Sequence, residues 1–226
     1  MPAHSSARPL TIAIDGPSGV GKGTVSRAIA RALGYRHVDT GAMYRAVAWR
    51  ALQDGLSLDD EVAVGAVARE AHLDLEAGRV LIDGVDVTAA IRTPAVDRAA
   101  TAVARMPAVR ALLVARQRAL GAHGGVVMEG RDIGTVVFPE ADVKIYLDAT
   151  PEERARRRVA DPAHGGAGQG LTDVASALAA RDKADATRAA SPLTIAADAV
   201  LVDTTGVTVE DVVARVMGIV RTRAAR

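Results

Sequence analysis

Residues 10–24 read LTIAIDGPSGVGKGT, and this stretch decides the fold class. The apolar run Leu10–Ile14 predicts a buried strand, and the glycine-rich residues 16–21 predict the turn that follows it. Apolar side chains then recur at helical spacing from Val25 to Leu33, and Gly34 is a typical helix stop. A strand, a glycine-rich turn and a helix in this order predict the first unit of an α/β fold.

The turn carries the glycine–lysine signature of a phosphate-binding loop. Glycines let backbone N–H groups approach an anion closely, and the helix starting near Lys22 adds its positive end. Lys22 would place its charge on the β- and γ-phosphates of ATP. The alternative is a glycine-rich turn that binds nothing. The predicted ATP-binding residues of the loop are Gly16, Pro17, Ser18, Gly19, Val20, Gly21, Lys22, Gly23 and Thr24.

Strands and helices alternate along most of the remaining chain. Three apolar runs predict further buried parallel strands: Val126–Met128, Val143–Leu147 and Ala199–Val202. Helical patterns occur at about residues 106–120, 152–158 and 209–220. We therefore predict an α/β protein with a doubly wound parallel sheet of about five strands flanked by helices.

One segment, about residues 59–104, breaks the alternation. The short runs His72–Leu75, Val80–Ile82 and Val85–Val87 are β-like and are separated by turn signals. We predict an insert made of a helix, a small antiparallel sheet and another helix. It is either decoration or a mobile cap over a substrate.

The chain is predicted to be one domain over residues 1–226, with its core at 9–58 and 105–226. A lid is expected at about residues 154–172. Its glycine-rich part, residues 162–170, is either a flexible linker or the tip of that lid.

Composition excludes several classes of function. Aromatic residues make up 2% of the chain and the net charge is +1, which argues against nucleic acid as a partner. Cysteine is absent, so disulfides and thiolate metal sites are excluded. No apolar run suits a membrane span or a signal peptide, so a cytoplasmic protein is expected. Five histidines lack metal-ligand spacing and are predicted to be surface or packing residues: His4, His37, His72, His123 and His164.

Two further motifs follow predicted strands. Residues 39–45 read DTGAMYR, and residues 129–137 read EGRDIGTVV. Open α/β sheets bind ligands at the carboxyl ends of their strands, where both motifs should lie. Each offers an arginine and an aspartate around a glycine, which suits an anionic substrate that also forms hydrogen bonds. Either motif alone could be a solvated loop, but together with the phosphate loop they predict a substrate cleft.

With these motifs the sequence resembles the bacterial cytidylate kinases, which are P-loop nucleoside monophosphate kinases. The resemblance runs from Leu10 to the last helix and includes IRT at 91–93, VKIYLDA at 143–149 and RDKAD at 181–185. It implies transfer of the γ-phosphoryl group of ATP, with Mg²⁺, to CMP and dCMP. We also expect a monomer with no nucleic-acid or membrane partner.

The resemblance further implies a role for each matching residue. The acceptor phosphate would be bound by Arg45, Arg131 and Arg188. Cytosine would be read by Thr101, Arg110 and Asp132. The sugar would be held by Arg181 and Asp185, with Asp39 and Thr40 nearby. The ATP side would be served by Arg154, Arg157 and Arg158. The catalytic group would be Lys22, Arg131, Arg157 and Arg188.

Magnesium has no direct protein ligand in this interpretation. Gly23 stands where the standard motif has Ser or Thr, so Thr24 and Glu129 are candidates for holding Mg²⁺ through water.

Alternatives stay open on the residues alone. The three arginines from Arg154 to Arg158 could form a solvated basic helix face, and Arg181, Asp185 and Arg188 could be plain helix salt bridges. A kinase for UMP or an alcohol is the nearest rival function. A nucleotide-dependent switch is the rival from another class, but the chain has no Asn and therefore lacks a guanine-reading Asn-Lys-x-Asp motif.

Overall fold

The computed structural model describes residues 8–76, 78–161 and 170–224. The strands are β1 (Thr11–Asp15), β2 (Arg36–Asp39), β3 (Leu73–Glu76), β4 (Arg79–Ile82), β5 (Val85–Asp86), β6 (Val126–Glu129), β7 (Val143–Asp148) and β8 (Val200–Asp203). The α-helices are α1 (Lys22–Leu33), α2 (Thr40–Gln53), α3 (Glu61–Glu70), α4 (Pro94–Val103), α5 (Pro107–Gly121), α6 (Pro151–Ala160), α7 (Leu171–Thr187) and α8 (Val209–Ala224). A 3₁₀ turn covers Ala90–Arg92, and a π-helical turn covers Ile133–Val137.

Five strands form one parallel sheet in the order β2-β6-β1-β7-β8. The chain leaves β1 for one edge of the sheet, returns to β6 beside β1, and then crosses to β7 on the other side. The strand order therefore reverses around β1, which opens a crevice at the carboxyl ends of the central strands. The predicted α/β fold with about five parallel strands is confirmed.

The sheet is buried on both faces, which explains why its strands read as continuous apolar runs. Successive side chains of β1 point to opposite faces: Ala13 packs with α2, α4 and α5, whereas Ile12 and Ile14 pack with α1 and α8. With so few aromatic side chains, the core is built from Ala, Val, Leu and Ile. The helices on the two faces of the sheet therefore fix the position of the end of β1 relative to the start of α1.

The insert has the predicted order of elements: α3, then the antiparallel sheet β3-β4-β5, then α4. Its buried side chains Val64, Ile82 and Val96 belong to the same apolar cluster as α2 and α5. The insert is therefore packed onto the core through its apolar side, and its predicted movement as a cap stays a prediction.

Helices α6 and α7 form an arm beside the crevice. The Thr150 hydroxyl accepts the N–H of Glu153 at 3.3 Å, and Pro151 occupies the first turn, so α6 begins where the sequence signals it. The two helices pack through Ala155, Val174 and Leu178. Most of the glycine-rich loop predicted as a linker or lid tip, residues 162–169, lies outside the described residues. None of the helices that the structure does describe combines the length and apolar character needed to cross a membrane.

Candidate active site

A cavity of about 660 Å³ opens at the carboxyl ends of the central strands. Its lining joins the phosphate loop, the starts of α2 and α8, the residues after β6, and parts of α4, α6 and α7. Among the described residues, eleven lysine or arginine side chains and six aspartate or glutamate side chains line it. Such an excess of positive charge in one cleft favours a polyanionic ligand.

The phosphate loop needs glycine at two positions for steric reasons. Gly16 has a φ of 145°, and a Cβ there would lie 2.1 Å from the carbonyl oxygen of Leu147. Gly19 has a φ of 83°, and a Cβ there would lie 3.0 Å from Arg154. Side chains would therefore push the loop away from β7 and α6, and the backbone N–H groups would lose their directions.

Lys22 begins α1 and is buried in the loop. Its Nζ donates to the carbonyl oxygens of Gly16 at 2.7 Å and Pro17 at 2.6 Å. Burial and the neighbouring Arg131 lower the pKa of this ammonium group. An incoming phosphate would relieve that unfavourable environment, because its negative charge favours the protonated lysine.

Gly23 leaves room for two charged groups beside the loop. A Cβ on Gly23 would lie 3.2 Å from Nη1 of Arg27 and 3.4 Å from Oε1 of Glu129. Glu129 also contacts His37, with 2.8 Å between Oε1 and Nε2. The two side chains meet because β2 and β6 pair in parallel, and His37 is half-buried there against Glu129.

The surroundings of Glu129 suit a hydrated magnesium ion. Its carboxylate is buried at the cavity wall next to Gly23, and the exposed Thr24 lies on the same wall. Oxygen donors and water are the ligands that Mg²⁺ prefers. Within the described ranges, no cluster of three or more His, Asp or Glu side chains could hold a metal.

The two later motifs meet as predicted. The Thr40 hydroxyl donates to the carbonyl oxygen of Glu129 at 2.7 Å, which ties the start of α2 to the end of β6. Asp39 accepts from the Ala42 N–H at 2.9 Å and from Arg45 at 2.8 Å. Burial alone would raise the pKa of Asp39, but Arg45 and the Ala42 N–H lower it to about 2. Arg45 is thus held, charged, at the cavity wall.

A buried group of polar side chains lies at the insert end of the cavity. Asp132 accepts hydrogen bonds from Arg110 and, at 3.3 Å, from Arg188. The Arg110 guanidinium also lies 5.7 Å from the centre of the Tyr44 ring. Nε and Nη1 of Arg110 are buried without a hydrogen-bond partner among the described residues. Unpaired buried donors of this kind are costly, and Arg110 is one of the residues that line the cavity.

Arg131 lies between the phosphate loop and α7. Its Nε donates to Asp185 at 2.9 Å, and its Nη2 donates to the Ser18 hydroxyl at 2.7 Å. This guanidinium therefore faces both the predicted ATP loop and the predicted sugar-binding helix.

The predicted ATP-side arginines of α6 are directed inward rather than into solvent. Arg154 bonds Asp182 and the Ser18 carbonyl oxygen, and Arg157 bonds Thr204 at 2.9 Å. Arg158 bonds Asp97 of α4. These contacts argue against a plain solvated basic face.

The ion pairs of α7 also leave their own helix. Arg181 pairs with Asp97, Asp185 with Arg131, and Arg188 with Asp132. The structure thus places Arg181 and Asp185 of α7, and Arg188 just after it, against other elements, which a plain helix salt bridge would not do. Thr101 lies at the same cavity, on α4.

Three site residues were missed by the sequence reasoning. Asp15 accepts the N–H groups of Ile133 at 2.9 Å and Gly134 at 2.8 Å, and burial raises its pKa to about 6. The other two are Asp97 and Thr204. The sequence did carry a signal for two of them. Asp15 ends a buried apolar strand, and Thr204 follows the last strand, so both stand at the sheet edge where the site lies. Nothing in the local pattern singled out Asp97.

A phosphate loop at the switch point of a parallel sheet, facing a cleft rich in arginine, is the arrangement of the P-loop phosphotransferases. The fold is shared with a solved shikimate kinase from Bacteroides thetaiotaomicron, with a TM-score of 0.51, 12% identity, and coverage of 94% of this chain and 98% of that one. The chain belongs to the cytidylate kinase family, whose family model matches residues 12–222.

Curated relatives agree with that membership over nearly the full chain. The cytidylate kinase of Desulfitobacterium hafniense (strain Y51) is 50% identical over 213 residues, covering 93% of this chain and 92% of the relative. The cytidylate kinase of Pelotomaculum thermopropionicum is 50% identical over 207 residues, covering 89% of this chain and 92% of the relative.

Proposed function

We propose that the protein transfers the γ-phosphoryl group of ATP to CMP or dCMP, giving ADP and CDP or dCDP. Family membership supports the reaction class, and the Asp132–Arg110 pair carries the choice of base. A carboxylate can accept from the N4 amino group of cytosine, whereas the guanidinium of Arg110 is a donor that suits N3 and O2. Uracil presents an O4 acceptor and an N3 donor at those places and fits poorly.

The donor nucleotide would lie along the phosphate loop. Backbone N–H groups and Lys22 would bind the β- and γ-phosphates, with Arg154, Arg157 and Arg158 alongside. Beyond Arg157 the cavity wall is formed by the loop after β8 and the start of α8, including Val207 and Val209. These apolar side chains offer a surface for the adenine ring.

The acceptor would lie between the insert and α7. Arg45 and Arg131 would bind its phosphate, since guanidinium groups match phosphate oxygens in pairs. Arg188, predicted from the resemblance to bind the same phosphate, is bonded to Asp132. We therefore propose that Arg188 also orients the base-reading carboxylate. Arg181 and Asp185 would face the sugar.

Transfer would be an in-line displacement in which the acceptor phosphate oxygen forms the new P–O bond and ADP leaves. The acceptor phosphate is ionised at pH 7, so no general base is required. Lys22 and the arginines would neutralise charge that spreads over the transferred group. Mg²⁺, held through water by Glu129 and Thr24, would supply further charge neutralisation on the ATP phosphates.

Water has to be excluded during transfer, because it would otherwise accept the phosphoryl group. Closure of the insert, about residues 59–104, and of the arm carrying α6 and α7 would achieve this. We keep a monomeric, cytoplasmic enzyme without a nucleic-acid partner as the prediction.

A coupled assay of ADP formation tests the proposal. CMP and dCMP should be efficient acceptors, UMP a poor one, and AMP should not be used. Equal kcat/KM for UMP and CMP would favour the rival UMP kinase, and ADP formation that no acceptor stimulates would refute a nucleotide kinase. A preparation of the Lys22→Ala variant controls for contaminating ATPases.

A further inference from the structure

Asp97 joins three helices across the cavity. It lies on α4 of the insert, and its Oδ2 accepts from Arg158 of α6 while its Oδ1 accepts from Arg181 of α7 at 3.3 Å. All three side chains are between 16% and 19% exposed, so solvent screens these contacts only in part. One carboxylate therefore links a donor-side arginine to an acceptor-side arginine.

The two arginines need this partner because other cations surround them. Arg158 lies near Arg45 and Arg131, and Asp161 is its second acidic neighbour. Arg181 lies near the same two arginines, with Asp185 as its second acidic neighbour; burial and Arg131 lower its pKa to about 10. Removing the shared carboxylate would leave the guanidinium groups repelling one another, and they would move apart.

Asp97 also shares a helical turn with a base-side residue. The Thr101 hydroxyl donates to the carbonyl oxygen of Asp97 at 3.0 Å. The position of α4 relative to α6 and α7 therefore affects the position of Thr101. If the contact of Asp97 with Arg158 and Arg181 shifted, both the base side and the sugar side of the acceptor site would change.

We propose that Asp97 is a positioning residue that couples the two substrate sites by holding Arg158 and Arg181 together across the cleft. ATP-side binding fixes Arg158, and through Asp97 it preorganises Arg181 and α4 for the acceptor. The inference rests on the proposed function, since it assigns the two arginines to different substrates. By thermodynamic linkage, CMP must strengthen binding on the ATP side by the same factor.

Calorimetry tests this coupling without turnover. The Kd of CMP is measured alone and with a saturating non-hydrolysable ATP analogue, for wild type and for Asp97→Asn, which keeps the shape and removes the charge. Wild type should bind CMP several-fold more tightly with the analogue, and the variant should lose this enhancement. The Kd of CMP for the variant alone should rise about ten-fold, in line with loss of a charge-assisted hydrogen bond.

Two further variants complete the test. Asp97→Glu keeps the charge and should retain most of the coupling. If Asp97→Asn is poorly folded, loss of the coupling in a well-folded Asp97→Glu would overturn the proposal. Asp86→Asn removes an exposed ion pair with Arg79 on the same insert and should leave both Kd values unchanged. If Asp97→Asn keeps the full enhancement, or binds CMP more tightly, the coupling role is overturned. Wild type that fails to bind CMP at all would instead refute the proposed function.

Discussion

Replacing Asp132 by Asn should change which base the enzyme accepts. The Asp132 side chain is 9% exposed, and its two arginine partners are each 4% exposed, so the contact is almost free of solvent. Asn keeps the shape but replaces one acceptor oxygen with a donor. That donor would face the N4 amino group of cytosine unfavourably and would suit O4 of uracil.

The size of the effect follows from the value of one base-edge contact. A well-placed polar pair of this kind discriminates by about 1–3 kcal/mol, and 1.4 kcal/mol corresponds to ten-fold. We expect the ratio of kcat/KM for CMP over UMP to fall by about ten-fold or more, chiefly through loss on CMP. Buried Arg110 and Arg188 also lose a charged partner, so thermal unfolding of the variant should be measured alongside.

Asp185→Asn is the matched control. It too removes a buried carboxylate paired with an arginine, Arg131, but on the sugar side. It should lower kcat/KM for CMP and UMP by similar factors and leave their ratio unchanged. If Asp132→Asn behaves in the same way, Asp132 serves only to hold its arginines, and the reasoning about base recognition is refuted.

Three other outcomes are expected. Lys22→Ala should lower kcat by about 10²-fold or more, because one preorganised charge that stabilises the transition state is lost. Circular dichroism should show the fold intact. Near-normal turnover would contradict the assignment of the phosphate loop. Amides of the insert, residues 59–104, should gain hydrogen-exchange protection with CMP, whereas ATP should protect mainly residues 16–24. If CMP does not change the protection of the insert, the insert is not a mobile cap. Because folding raises the pKa of Asp15 to about 6, its contribution to the free energy of unfolding should be present below about pH 4 and lost as the pH rises through 6. The decline is of the order of 3 kcal/mol, and urea unfolding of Asp15→Asn should show it removed; parallel pH curves for the two proteins would contradict this.

Local patterns were sufficient for most of the fold. The run from Leu10 to Leu33 predicted a strand, a glycine turn and a helix, and the structure has β1, the loop and α1 there. The insert was predicted because period-two runs with tight turns cannot continue a βα alternation. These patterns involve only residues that are neighbours in sequence, so they can be recognised without knowledge of tertiary contacts.

The site was predicted in outline for a topological reason. Motifs that end parallel strands meet at one edge of the sheet, and Thr40 and Glu129 do so in the structure. The pairing of His37 with Glu129 was not foreseen, because it depends on β2 and β6 being neighbours. The strand order that makes them neighbours is decided by how the helices pack.

By itself, therefore, the sequence determined where the phosphate loop lies and which motifs stand at the carboxyl ends of the strands. Glycine turns and strand ends are recognised from residues that are neighbours in sequence. Only the tertiary structure decided how those side chains pair. Asp97 lies 61 residues from Arg158 and 84 from Arg181, and no periodicity connects positions so far apart. Their contact depends on the tertiary arrangement, in which α4 packs with α2 and α5 in one apolar cluster and α6 packs with α7 in another.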